Sequence, residues 1–286
     1  MFKLLSPLAI AGALLSLSGL GAGPAQALSK VTFVSGKGID IGTCADPANP
    51  CRTFQFAIGQ TNPGGEVKAL DPAVYGAMVL TQSISISGVE GAGIDHGTGH
   101  AIAINAGPND VVNLTHLAID GLKTANNGIV LNSGGSLTIT HCTVRNFVKD
   151  GILLQPTPGT ATFLIADVTV SNNGVSGIDV FPPGPTGSAI GTLDHVLMHG
   201  NGSVGMKTDR NTNATIANVT VIDSVASNNG TGFLAASQGA TRLVQSTATD
   251  NGTGVFVNTD AESAGNNYIH GNGTNVAGFI TPVGTQ

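Results

Sequence analysis

A segment of the form Gly-apolar-x-apolar recurs six times in this chain, and that repeat limits the possible folds more than any other feature. It reads Gly128-Ile-Val-Leu131, Gly151-Ile-Leu-Leu154, Gly177-Ile-Asp-Val180, Gly205-Met-Lys-Thr208, Gly232-Phe-Leu-Ala235 and Gly254-Val-Phe-Val257. Successive glycines stand 23, 26, 28, 27 and 22 residues apart. An Asn/Gly turn precedes each segment, as at Asn172-Asn173-Gly174 and Asn228-Asn229-Gly230, and a further alternating strand such as Leu137-Thr-Ile-Thr140 lies before the turn. A period in the twenties with short strands and Gly/Asn corners marks a solenoid.

The residue types decide which solenoid. The Leu-x-x-Leu-x-Leu frame of leucine-rich repeats is missing, and helical repeats need longer units of good helix formers. These units are instead rich in Thr, Val, Ile, Gly and Asn, which suit strands and corners. The expected fold class is all-β, a single-stranded parallel β-helix over residues 64–286. Asn fits its corners because it tolerates the left-handed conformation and its amide can bond the next coil.

Residues 28–63 read differently. Val31-Thr-Phe-Val34 is a strand, and Phe54, Ala57 and Ile58 are spaced for a short amphipathic helix. The open end of a solenoid exposes apolar core and unpaired strand groups, so this segment is the expected N-terminal cap. Around Asn275-Val-Ala-Gly-Phe-Ile280 no comparable cap is evident.

Residues 1–27 read as a secretory signal. Lys3 supplies the positive charge, Leu8 to Leu20 is apolar but too short and Gly/Ser-rich to span a bilayer, and Ala25-Gln-Ala27 is a cleavage pattern. No second apolar run is long enough for a membrane helix. A soluble, exported protein is predicted, either secreted or periplasmic. Cys44 and Cys51 lie seven apart in a Pro/Asn-rich loop, and export favours a disulfide between them. A two-Cys metal site there would lack further ligands. Cys142, inside an apolar-periodic run, reads as a buried small hydrophobe.

Composition excludes other classes. With 41% hydrophobic residues the chain is not disordered, and its 41 glycines lack the collagen period. The net charge is −6 and basic residues are scattered, so no nucleic-acid footprint is present.

Three features together resemble a known group: Val34-Ser-Gly-Lys-Gly-Ile-Asp40, Pro50-Cys-Arg-Thr-Phe-Gln-Phe-Ala-Ile58, and the Asn…Gly-Ile-x-Val coils. They are similar to those of bacterial secreted right-handed parallel β-helix proteins of the pectin-lyase-like superfamily. That resemblance implies the right-handed fold over nearly the whole mature chain. The superfamily includes pectate lyases, polygalacturonases, epimerases, tailspikes and members without known chemistry, so fold alone assigns no activity.

Aligning the coils places His116, His141, Asp167, His195, Asp223 and Gln245 in one column. At ~4.8 Å per rung they would form a polar stripe, either a solvated face beside a bend or a general acid/base site. In the second reading Asp167 and Asp223 stand roughly 9.6 Å apart along the axis, at the edge of the ~6.5–9.5 Å of an inverting glycosidase pair. His195 lies between them to tune or relay a proton, and His141 adjoins Asp167.

Polygalacturonase motifs do not match. His199-Gly200 and Asn258-Thr-Asp260 occur in reversed order, and no Asp-Asp or Arg-x-Lys is present. A second candidate cluster is Asp179 and Lys207, at equivalent outward positions of adjacent coils, with Asp209 and Arg210 close by. It is either an ordinary cross-rung ion pair or the basic and acidic groups of a lyase, the one reading that would call for calcium. The same column carries Val130, Leu153, Leu234 and Phe256, which the Phe181-Pro-Pro-Gly-Pro185 insertion is long enough to cover. His96 and His100 lack a third metal ligand, and no metal site is assigned.

Two functions stay open. One is a non-catalytic extracellular β-helix for polysaccharide binding, adhesion or structure, which low charge, two Tyr and no Trp favour. The other is an enzyme, a hydrolase, lyase or epimerase, acting on an acidic polysaccharide.

Overall fold

A computed structural model describes residues 28–211 and 216–284. The expected secretory signal, residues 1–27, lies outside the described residues. One coil shows how the sequence winds. In Ser136–Thr140 alternation buries Leu137 and Ile139, two corner residues follow, and Thr143–Arg145 then buries Val144. A longer turn leads to Ile152–Leu154, and the chain returns to Gly159–Ala166, which pairs parallel with Ser136–Thr140 one rung on.

Repetition of this path builds three parallel sheets of eleven, eight and nine strands. They are called here the long, the short and the third sheet. In-register pairing stacks like on like inside: Ile139, Ile165, Leu193, Val221 and Leu243 in the long sheet, and Ile129, Ile152, Ile178 and Met206 in the third. All are at most 1% exposed. Burying each such side chain contributes about 1.5–3 kcal/mol before chain entropy is counted. Thus the fold is the all-β parallel solenoid that the repeat implies.

Two backbone devices hold the rungs together. The first is the glycine that opens each third-sheet segment. A Cβ on Gly128, Gly151, Gly177, Gly205 or Gly232 would lie 2.4–2.8 Å from the carbonyl oxygen of the equivalent glycine one coil on. Close backbone approach, and not turn geometry, keeps that column glycine. The second is a buried ladder of Asn173, Asn201, Asn229 and Asn251. The Oδ1 atoms of Asn201, Asn229 and Asn251 each accept the backbone N–H and the side-chain Nδ2 of the asparagine before, at 2.9–3.2 Å, and that of Asn173 accepts the Phe147 N–H at 3.1 Å. The Nδ2 groups of Asn201, Asn229 and Asn251 also donate to Val170, Met198 and Ala226 carbonyls. Corner backbone that would otherwise be buried without partners is satisfied in this way.

The three corners differ in length. Between long and short sheets it is two residues in each of the six coils from His116 to Ser246. Between third and long sheets it is two residues at 134–135 but six at 181–186.

At the N-terminal end the helix Phe54–Gly59 buries Phe54, Ala57 and Ile58, and its cap Thr53 accepts the Phe56 N–H at 3.2 Å. Asp40 accepts the N–H groups of Arg52 and Thr53 at 2.7 and 2.9 Å and the Thr53 hydroxyl at 2.8 Å. This ties the Gly-x-Gly-x-Asp stretch to the helix start. A Cβ at Gly38 would stand 2.2 Å from the Cys51 carbonyl, so the loop closes only with glycine there. Cys44 and Cys51 form a disulfide with Cα atoms 5.3 Å apart, and Cys142 is a buried free thiol. The strand Ser29–Val34 also pairs with Thr61–Ala69 as the first member of the long sheet, so the N-terminal segment both covers the solenoid and extends it. No helix among the described residues is long and apolar enough to cross a membrane.

Candidate functional site

The six aligned polar residues stand at the two-residue corner between the long and short sheets. His116, His141, Asp167, His195, Asp223 and Gln245 all adopt left-handed backbone, with φ between 45° and 55°. Ladder bonds fix five of them: the N–H groups of His116, His141, Asp167, His195 and Asp223 each donate to a carbonyl one coil on at 3.1–3.2 Å. A left-handed residue breaks strand alternation, so it and the residue before it emerge on the same side. That is why Asp194 meets His195, with Oδ1 2.7 Å from Nδ1, and why the Thr115 hydroxyl lies 2.8 Å from His116 Nδ1.

The column forms a chain of contacts. The His116 and His141 rings stack at 4.8 Å, and His141 Nε2 lies 3.8 Å from Asp167 Oδ2. The Asp194 carboxylate, with weaker help from Asp223 and Asp167, raises the His195 imidazole above its usual value. The side chains of His141, Asp167 and His195 are 54%, 53% and 61% exposed. Asp194 was not legible as part of this group. Strand alternation assigns it to a sheet face, and only the left-handed step after it turns it toward His195.

The second cluster lies on the third sheet. Asp179 and Lys207 are register partners, in line with Leu153 before and Leu234 after. Lys207 Nζ sits 3.0 Å from Asp209 Oδ2 and 3.7 Å from Asp179 Oδ2, and the Phe181 ring lies over it at 5.4 Å. The insertion thus places Phe181 on Lys207. Val130, in the same column, is fully buried, whereas Phe256 stays partly exposed. Arg210 lies one residue beyond Asp209.

Asp150, absent from the sequence reading, is buried in the preceding coil and accepts the Ser176 N–H at 3.0 Å. Asn127 makes the same bond one coil earlier, its Oδ1 accepting the Asp150 N–H at 2.9 Å, but the equivalent positions Asn127 and Ser176 carry no carboxylate, so no repeat marks Asp150 as acidic. Burial raises its carboxyl above the usual value. Burial likewise pushes Asp179 up to about 6, against the pull of Lys207 and helped by Asp150 and Asp209. The Oδ1 of Asp179 is buried with no hydrogen-bond partner. Burial works against the Lys207 charge, yet Asp179 and Asp209 hold its value above normal. A calcium ion does not fit here, because the Lys207 ammonium already takes the space between two of the carboxylates.

The Asp179 charge should cost stability. Its folded value lies above the 3.8 of an ordinary carboxyl, so the folded chain holds the proton more tightly than the unfolded one. Stability is therefore lost as pH rises from about 4 to about 6, and the loss persists above that. Asp179→Asn, which leaves Lys207 its closer partner Asp209, is expected to stabilise the protein by about 1–3 kcal/mol at pH 7.5. Below pH 4 the gain should vanish. Denaturant unfolding at both pH values checks this, and an equal change at both contradicts it.

Three surface depressions lie apart from both clusters, one of about 550 Å³ by the disulfide loop with Ile39 and Ile41, another against Lys30 and Asn62, and a third with Gln55, His96 and His100. None of the three includes a residue of the corner column or of the Asp179 cluster.

Comparison with known proteins agrees with this architecture. Residues 127–281 match the model of a family described as right handed beta helix region. No curated protein matches the chain. Among solved structures, the crystal structure of pectate lyase Pel9A is similar, with a TM-score of 0.59 at 13% identity over 91% of this chain and 78% of that one. At that identity the likeness is one of fold. With a family model spanning more than half of its length, the chain belongs to the right-handed β-helix family and has the pectin-lyase-like fold.

Proposed function

We propose that this chain is a non-catalytic, exported β-helix whose polar corner binds extended polysaccharide, for adhesion or as a structural element. One observation carries the reading. The acid and base groups that would have to converge stand at a left-handed corner with their side chains about half exposed to solvent, His141, Asp167 and His195 at 54%, 53% and 61%. General acid/base chemistry gains from a cleft that excludes water and holds the substrate, whereas a row of exposed groups repeated at each rung suits a long polymer.

A second reading, an enzyme on an acidic polysaccharide, is favoured by the Asp179 carboxyl. Held near 6 with one oxygen unpartnered, it exchanges a proton readily around neutrality.

The test is retention on immobilised pectate, alginate and neutral glycans, run beside release of unsaturated or reducing ends with and without calcium. Wild type is compared with an Asp167→Gly/Asp223→Gly double variant, since glycine keeps the left-handed corner. Retention by at least one glycan, weakened severalfold in the double variant and without new chain ends, is the expected result. New ends that disappear in the double variant would overturn it. New ends that persist there but vanish in Asp179→Asn would establish the enzyme reading.

A further inference from the structure

We infer that Asp194, His195 and Asp223 form a surface site for a divalent transition ion of the zinc class. The ligand atoms of these three side chains lie within 4.8 Å of one another. Around a tetrahedral zinc ion with bonds of about 2.0–2.1 Å, ligand atoms stand about 3.3 Å apart. The widest spacing in the present group exceeds that by at most about 1.5 Å, a displacement that rotation of the side chains can supply.

The scaffold is already fixed. Asp194 ends the strand Gly187–Asp194, which pairs in full register with Ile216–Ile222 one coil on. His195 and Asp223 occupy the left-handed corners of those two coils, pinned by N–H bonds to the Ile222 and Val244 carbonyls, both at 3.2 Å. The neighbouring N–H of Val196 donates to the Ser224 hydroxyl at 3.0 Å and locks the two corners together. A rigid corner that turns Asp194 and His195 to the same side leaves little order to be imposed on binding.

The donor set selects the ion. One imidazole nitrogen with two carboxylates suits zinc, copper or nickel, whereas calcium and magnesium take oxygen shells. Two carboxylates balance the double charge of the ion. Because all three groups face solvent, entry is open and water completes the coordination. The site is separate from the Asp179 cluster, and its test uses the ion alone, so it does not depend on glycan binding.

Isothermal titration of tag-free chain with zinc chloride in a non-chelating buffer at neutral pH tests the inference. His195→Asn and Asp223→Asn remove a ligand while keeping a residue that tolerates the left-handed corner. Expected is one saturable zinc ion per chain, no calcium binding, and zinc affinity more than about tenfold weaker in each variant. Circular dichroism should stay unchanged, and His141→Asn should leave affinity within about twofold. Absence of saturable zinc binding, wild-type affinity in His195→Asn or Asp223→Asn, or an equal loss in His141→Asn would each overturn it.

Discussion

Asn201→Ala is expected to destabilise the protein by about 3–5 kcal/mol, a Tm loss on the order of 10 °C. The side chain is 2% exposed and makes bonds in both directions along the ladder. Without it the Asn173 N–H and Nδ2 lose their acceptor, the Val170 carbonyl loses its donor, and one donor to Asn229 Oδ1 is gone. Each buried group left unpaired costs about 1–3 kcal/mol. Asn201→Asp should fail too, since it keeps an acceptor but removes the donor and buries a charge. An alanine variant that unfolds within about 1 kcal/mol of wild type would show that the ladder contributes little.

Gly205→Ala should be of similar size, about 3 kcal/mol or more, by crowding. Its methyl group would lie 2.6 Å from the Gly232 carbonyl oxygen and 3.0 Å from Asn229 Nδ2. Both belong to the stacked frame and cannot move alone. Gly59→Ala is the matching control. That exposed glycine ends a helix, a Cβ there meets nothing within 4 Å, and its replacement should be neutral or stabilising by up to about 1 kcal/mol. Comparable losses in the two variants, by thermal unfolding, would contradict the crowding account.

How much was legible follows from which features repeat. Gly128, Gly151, Gly177, Gly205 and Gly232 showed the coil because one contact imposes the same residue in every turn. Residues as unlike as His116, Asp167 and Gln245 could be aligned because the corner is two residues long in all six of their coils. The strand Val31-Thr-Phe-Val34 was readable, but not its pairing with Thr61–Ala69, which no repeat announces. Nor could residue types reveal that Lys207 lies within an acidic group whose third member is Asp150. That depends on rotamers and on cross-coil distances that vary without changing the pattern.

The unequal corners imply a division of labour between stability and novelty. In the six coils from His116 to Ser246 the corner between long and short sheets keeps the same two residues throughout. The connection spanning residues 181–186, by contrast, already differs in length from residues 134–135 with the register intact on either side. Descendants of this chain can therefore acquire new recognition loops along that edge, leaving the spine unaltered.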